Sequence, residues 1–365
     1  MSAPSIVLAG GGTAGHTSPL VATASELITQ RPDLRLTAIG TARGLETTVI
    51  PAAGLDLQLI PSVPMPRRVG LDLALVGPRL IRAVQATVQV LRRVEAQAVL
   101  GFGGYVSTPA YLAARRFGLP IVVHEQNSMP GLANRLAARL TGAVYTSFPK
   151  TPLPHATCIG LPMRRGITEL ERTAVAEQAR GVFDLPADKP VLLVSGGSQG
   201  AASINRAVLG AREPLLARGI SVLHVLGAKN MGEETVRAVD PVSGAVYAPV
   251  GYVEQMEHAY AVADLMLGRC GAGTVMETAA VGLPAVFVPY PHGNGEQARN
   301  AELVVEAGGG LLLADADCTS DWVTTEIPAL IEDGVRRQGM IEALAGVART
   351  DAAAVLAART LEVIG

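Results

Sequence analysis

Ser5-Ile6-Val7-Leu8-Ala9 runs directly into Gly10-Gly11-Gly12-Thr13-Ala14-Gly15-His16. Pro190-Val191-Leu192-Leu193-Val194 runs in the same way into Ser195-Gly196-Gly197-Ser198-Gln199-Gly200. Each is a short apolar run without polar alternation, closed by a glycine-rich turn. Such a strand is covered on both faces, as in a parallel sheet flanked by helices. Similar runs follow the first at 36–39, 98–100, 120–124 and 143–145. Others follow the second at 221–225, 245–247, 265–267 and 284–288, with helical patterns between them. The sequence predicts an α/β chain of two Rossmann-like, doubly wound parallel-sheet domains, 1–162 and 163–344. The boundary falls in 149–165, which carries Pro149, Pro152, Pro154 and Pro162, and an Ala-rich helical tail runs from about Ala343 to Gly365.

At roughly 100–200 residues per domain, 365 residues suit two domains. High apolar content with a net charge of −2 excludes disorder. That net charge hides an asymmetry: residues 1–162 carry 14 Lys+Arg against 7 Asp+Glu, and the remainder 16 against 25. Either the basic half meets an anionic surface or ligand, or surface composition has drifted. Cys158, Cys270 and Cys318 form no CxxC pair, which reads as a reduced cytoplasmic protein without a zinc site. No secretory leader is expected, and no uncharged run is apolar enough to span a bilayer.

Five segments carry candidate chemistry. In 10–16, glycines bring backbone N–H groups to a helix start, where anions are favoured. A dinucleotide reading is weak, because the second strand ends in Gly40-Thr41-Ala42 and Glu46 comes too late for the ribose acid. His16 is either a helix-capping residue or a base. The loop 196–201 can hold phosphate oxygens but lacks the P-loop lysine. Arg269-Cys270-Gly271-Ala272-Gly273-Thr274-Val275-Met276-Glu277 opens a helix on which Glu277 either binds ribose hydroxyls or simply faces solvent. Pro291 to Gln297 offers amides and glycines for sugar hydroxyls. His124-Glu125-Gln126-Asn127 and Gly101-Phe102-Gly103-Gly104-Tyr105 end neighbouring strands, where open α/β sheets bind ligands. Asp315-Ala316-Asp317 looks like a metal-binding DxD but reads as an exposed turn. In 65–93, leucines interleaved with Arg67, Arg68, Arg79 and Arg82 suit either an anionic bilayer surface or ordinary helix packing.

Taken together and in this order, these blocks resemble the MurG family over about residues 5–301. Its members are peripheral membrane enzymes that add N-acetylglucosamine (GlcNAc) to undecaprenyl-pyrophosphoryl-MurNAc-pentapeptide, lipid I, to make lipid II. The resemblance implies a GT-B fold, two Rossmann-like domains facing across a cleft, with a C-terminal helix (about 345–365) returning to the first. It implies UDP-GlcNAc as donor, with Ser198 on the pyrophosphate and Val253 on the uracil through its backbone. Arg164 and Ala272, Gly273, Thr274, Val275 and Met276 would contact the nucleotide, with Glu277 on the ribose. Thr13, Ala14, Gly15, Asn127 and Gln297 would line the sugar. His16 is the first choice of base and Glu125 the second, with no metal and no cofactor. The implied partners are lipid I, an anionic cytoplasmic membrane face, and cell-division and cell-wall synthesis proteins, with no nucleic acid. Three departures stand out: Leu161 where the family often has Asn, Ala14 for a frequent Gly, and an altered acceptor loop at 62–68. Rival readings are another UDP-sugar GT-B transferase, a UDP-GlcNAc 2-epimerase, or a nucleotide-sensing scaffold.

Overall fold

The computed structural model describes residues 3–42, 44–63, 76–197, 200–233, 235–292 and 294–364. The chain divides into two compact units, residues 1–164 with 349–365, and residues 165–348.

In the first unit the strands are β1 (Ser5–Gly10), β2 (Arg35–Gly40), β3 (Asp56–Leu59), β4 (Ala98–Gly103), β5 (Ile121–Glu125), β6 (Val144–Thr146) and β7 (Ala156–Cys158). All pair in parallel, in the order β3-β2-β1-β4-β5-β6-β7. β1 is buried throughout because it lies mid-sheet with helices on both sides. Ile6 and Leu8 pack with Leu20 and Leu27 of α1 (Ala14–Gln30), whereas Val7 and Ala9 pack with Tyr111 and Val90 on the opposite face. Further helices are α2 (Glu46–Ala52), α3 (Val76–Arg93), α4 (Ser107–Phe117) and α5 (Leu132–Ala137). Pro19 lies in the second turn of α1, which begins at Ala14.

The second unit has β8 (Val191–Ser195), β9 (Ser221–Val225), β10 (Ala238–Val239), β11 (Val246–Val250), β12 (Leu265–Gly268), β13 (Ala285–Phe287) and β14 (Gly310–Leu312), in the order β10-β11-β9-β8-β12-β13-β14. Only the β10–β11 pair among these is antiparallel. Its helices are α6 (Arg165–Thr168), α7 (Arg172–Val182), α8 (Ala202–Ala217), α9 (Met256–Val262), α10 (Ala272–Ala280), α11 (Glu296–Ala307), α12 (Ser320–Glu332) and α13 (Gly334–Leu344). The chain then re-enters the first unit as α14 (Ala352–Glu362), where Leu356 and Ala357 join the core beside Leu20 and Leu27.

Strand order reverses between β1 and β4 in one sheet and between β8 and β12 in the other. In open α/β sheets the carboxyl ends flanking such a reversal form the ligand crevice. The described residues of the loops singled out in the sequence, 10–13, 101–104, 196–197 with 200–201, and 269–271, all lie at those ends. Four strands were not foreseen, the edge strands β3, β7, β10 and β14, and β7 lies inside the proline-rich stretch assigned to the domain boundary. A three-residue, partly exposed edge strand carries no periodicity from which to read it.

Candidate donor and acceptor sites

The first glycine loop is held from below. Glu46 is fully buried, and its Oε2 accepts the Gly12 N–H at 2.8 Å. Its Oε1 accepts both the N–H and the hydroxyl of Thr41 at 2.9 Å. Burial pushes this carboxyl upward, but the donors outweigh it and the pKa lies below the ordinary value. The sequence set Glu46 aside as a ribose acid and missed its role as the loop's anchor. Its signal was the small neighbours Gly40 and Gly44, which leave room for a carboxylate. With Gly12 N–H already engaged, this loop has one donor fewer for a phosphate than its glycines suggest.

Thr13 is the N-cap of α1 but makes no side-chain cap bond. Its Oγ1 lies 3.2 Å from His16 Nδ1 instead. Thr13, Ala14 and Gly15 are exposed and His16 half-exposed. Burial lowers the His16 pKa, offset in part by a hydrogen bond to the Gly11 carbonyl and by the Glu46 charge. The shift favours the neutral imidazole, the state a base needs.

Glu125 ends β5 and is 2 % exposed. Its Oε1 accepts Asn127 N–H at 3.0 Å, and Oε2 accepts Gly131 N–H at 3.0 Å and Asn134 Nδ2 at 2.9 Å. Burial raises its pKa. Asn134 also accepts the Tyr111 hydroxyl at 2.7 Å and donates to the His124 carbonyl. A buried carboxyl enclosed by these donors braces the 126–131 loop. Its lone pairs are already taken by loop and side-chain donors, which favours this bracing role and leaves His16 the first choice of base. Asn134 and Tyr111 escaped the sequence reading because each sits in an apolar helix. His124 is buried with a pKa lowered to about 4, mainly by desolvation. Its neutral Nε2–H donates to the Gly160 carbonyl at 2.9 Å, and Nδ1 faces Gln126 Nε2 at 3.1 Å. Asn127 is half-buried at the loop's open side, and its carbonyl accepts the Thr151 hydroxyl.

In the second unit, Gly196 and Gly200 are required by close approach. A Cβ at Gly196 would overlap Ala201, and one at Gly200 would overlap the Leu226 carbonyl. Ser198, between them, lies outside the described residues, as do 64–75 of the basic segment and acceptor loop. Ala272 opens α10, while Gly273, Thr274 and Glu277 are half-buried on it. Val275 and Met276 point into the core at 0 % and 2 % exposure, so only their backbone could meet a ligand. Glu277 Oε2 accepts the Tyr260 hydroxyl at 2.8 Å, which fixes the carboxylate near the helix start. Val253 is buried in the turn between β11 and α9. Gln297 opens α11, and its Oε1 accepts Tyr290 N–H at 2.9 Å. Arg164 is exposed at the end of the first unit's main segment.

Asp315 is not the exposed turn residue expected. Its carboxylate meets Arg269 Nη1 at 2.5 Å and accepts the Ser203 hydroxyl at 2.6 Å. Arg269 also donates to the Val288 and Pro289 carbonyls. This ion pair ties together the loops after β12, β13 and β14 and the start of α8. Among the described residues no cluster of three or more His, Cys, Asp or Glu could hold a metal.

Two family models match the chain: the glycosyltransferase family 28 N-terminal domain over residues 6–146 and its C-terminal domain over residues 191–356. A protein from a Nocardioides species is 52 % identical, across 98 % of this chain and 97 % of its own length. Its name is UDP-N-acetylglucosamine–N-acetylmuramyl-(pentapeptide) pyrophosphoryl-undecaprenol N-acetylglucosamine transferase. A Cutibacterium acnes protein of the same name is also 52 % identical, covering 98 % and 96 %. The chain belongs to the MurG family. It is a glycosyltransferase with the two α/β domains of that family. The crystal structure of Acinetobacter baumannii MurG superposes with a TM-score of 0.72 at 24 % identity, over 98 % of this chain and 99 % of that one. At that identity the likeness concerns the fold alone.

Proposed function

We propose that this MurG-family enzyme moves GlcNAc from UDP-GlcNAc to the C4 hydroxyl of MurNAc in lipid I, making lipid II for peptidoglycan. The observation that carries this is 52 % identity over nearly the full length of both chains to a transferase of that name. The C4 oxygen attacks the anomeric carbon from the face opposite UDP. The bond from that carbon to the β-phosphate oxygen breaks, its electrons leave with UDP, and the product is a β-1,4 linkage. His16, whose environment favours the neutral imidazole, takes the hydroxyl proton.

In this reading the second unit holds the donor. Ser198 and its glycine loop bind the pyrophosphate, and the starts of α8 and α10 stabilise the charge that grows on it. Glu277 accepts the ribose hydroxyls, the Val253 backbone reads the uracil, and Arg164 with the 272–276 backbone completes the nucleotide site. Gln297, Asn127 and the Thr13–Gly15 turn face the sugar. The first unit receives lipid I at a peripheral membrane surface. α3 supports this, since Ile81 is 60 % exposed beside Arg82, and apolar and basic groups together suit an anionic bilayer. No helix among the described residues is long and apolar enough to cross a membrane. Cell-division and cell-wall synthesis proteins are the partners proposed there.

Radiolabelled UDP-GlcNAc supplied with a lipid I analogue tests the reading. Label in the lipid, with UDP released only when acceptor is present, is the expected result. Free N-acetylmannosamine without acceptor would make the protein an epimerase, and no turnover would make it a sensor.

A further inference from the structure

Glu46 and His16 are joined through a single peptide group. The N–H of Gly12 is held by Glu46 Oε2 at 2.8 Å. The carbonyl bonded to that nitrogen belongs to Gly11, and it lies beside the His16 ring: a Cβ at Gly104 would sit 2.7 Å from the Gly11 oxygen and 3.6 Å from His16 Nδ1, the nitrogen that also faces Thr13 Oγ1 at 3.2 Å. In a trans peptide the N–H and C=O point in opposite directions, so orienting one orients the other. The peptide lies between two glycines, and Gly12 has φ +92° with nothing within 4 Å of its Cβ position. Without an anchor, such a peptide rotates easily.

The anchor's pocket is shaped for a carboxylate. A Cβ at Gly40 would lie 2.6 Å from Glu46 Cγ, one at Gly11 2.8 Å from Oε1, and one at Gly44 would overlap the carboxylate outright. Thr41 supplies both donors to the other oxygen. A fully buried carboxylate is costly unless its lone pairs are filled, and here loop donors fill them.

We propose that Glu46 is the positioning residue for His16, acting through the Gly11–Gly12 peptide. Glu46 points the Gly11 carbonyl at the imidazole, which places the ring proton on the nitrogen facing that carbonyl. The other ring nitrogen then keeps the lone pair that accepts the substrate proton. Glu46 touches no substrate. The inference rests on the proposed role of His16 as base.

Glu46→Gln keeps the size but opposes amide N–H groups to loop donors in either orientation. At saturating substrates, kcat should fall roughly 10–100-fold, the range for a misplaced catalytic group. KM for UDP-GlcNAc should stay within about 2-fold, because the nucleotide is held by the other unit. In a His16→Ala background the same substitution should change kcat by less than about 3-fold, since residues acting as one unit are not additive. Thr41→Val removes one donor but leaves the Gly12 bond, and should keep kcat within about 3-fold. Equal loss from Glu46→Gln in both backgrounds, or wild-type kcat in Glu46→Gln, would overturn the proposal. A check on the unaltered chain guards against misfolded variants. The ¹⁵N NMR signal of His16, assigned by its absence in His16→Ala, should show one neutral tautomer at pH 7, and a tautomer mixture would also overturn it. Should His16→Ala alone retain turnover, the base assignment fails instead, a different outcome from additivity.

Discussion

At the scale of residues, the site depends on polar groups that hold one another. Glu277 lies where the sequence placed it, on the helix after the third glycine motif, but its orientation comes from Tyr260 on α9. A hydrogen bond to a charged group contributes about 1.5–3 kcal/mol when buried, and less at this half-exposed position. Tyr260→Phe should therefore raise KM for UDP-GlcNAc roughly 3–10-fold and leave kcat within about 2-fold, measured by steady-state turnover. A fall in kcat with unchanged KM would place Tyr260 elsewhere in the mechanism. The pairings of Tyr260 with Glu277, Asp315 with Arg269 and Glu46 with Gly12 span 17, 46 and 34 positions. No local pattern announces them. The glycine motifs were legible because each is contiguous and follows an apolar strand.

At the scale of elements, strands that are apolar on both faces could be read directly, because their burial follows from composition. The short edge strands β3, β7, β10 and β14 could not, having too few residues to show a period. α14 was legible as a helix, and the family resemblance implied its return to the first domain, but not the side chains it meets there. Its Leu356 is fully buried against the core that includes Leu20 and Leu27. Leu356→Ala should cost the first unit about 2–5 kcal/mol. Urea unfolding followed at a probe in that unit would show it, and an unchanged midpoint would mean α14 docks too loosely to matter.

At the scale of the whole molecule, each unit encloses a neutral histidine in its sheet. His124 in β5 has a pKa lowered to about 4, and His224 in β9 to about 3, both chiefly by desolvation. An unfolded histidine titrates near 6.5. Below that pH the unfolded chain takes up protons that the folded chain refuses, so stability present above pH 6.5 drains away as pH falls toward 4. Urea midpoints should drop steadily over that window, and His224→Gln should flatten the slope. A flat profile from pH 7 to 4.5 would show that neither histidine is held neutral. The uneven charge, basic before residue 163 and acidic after it, belongs to this scale too, and was countable from composition alone. By itself the sequence determined the α/β class, the two-part organisation and the glycine loops at the strand ends. These follow from local apolar runs and local turn chemistry. Only the tertiary structure decided that Glu46 anchors a loop, that Glu125 braces another, that Val275 and Met276 face the core, and that Asp315 pairs with Arg269. Those outcomes depend on which side chains long-range packing brings within hydrogen-bond reach, and chain order does not encode that distance.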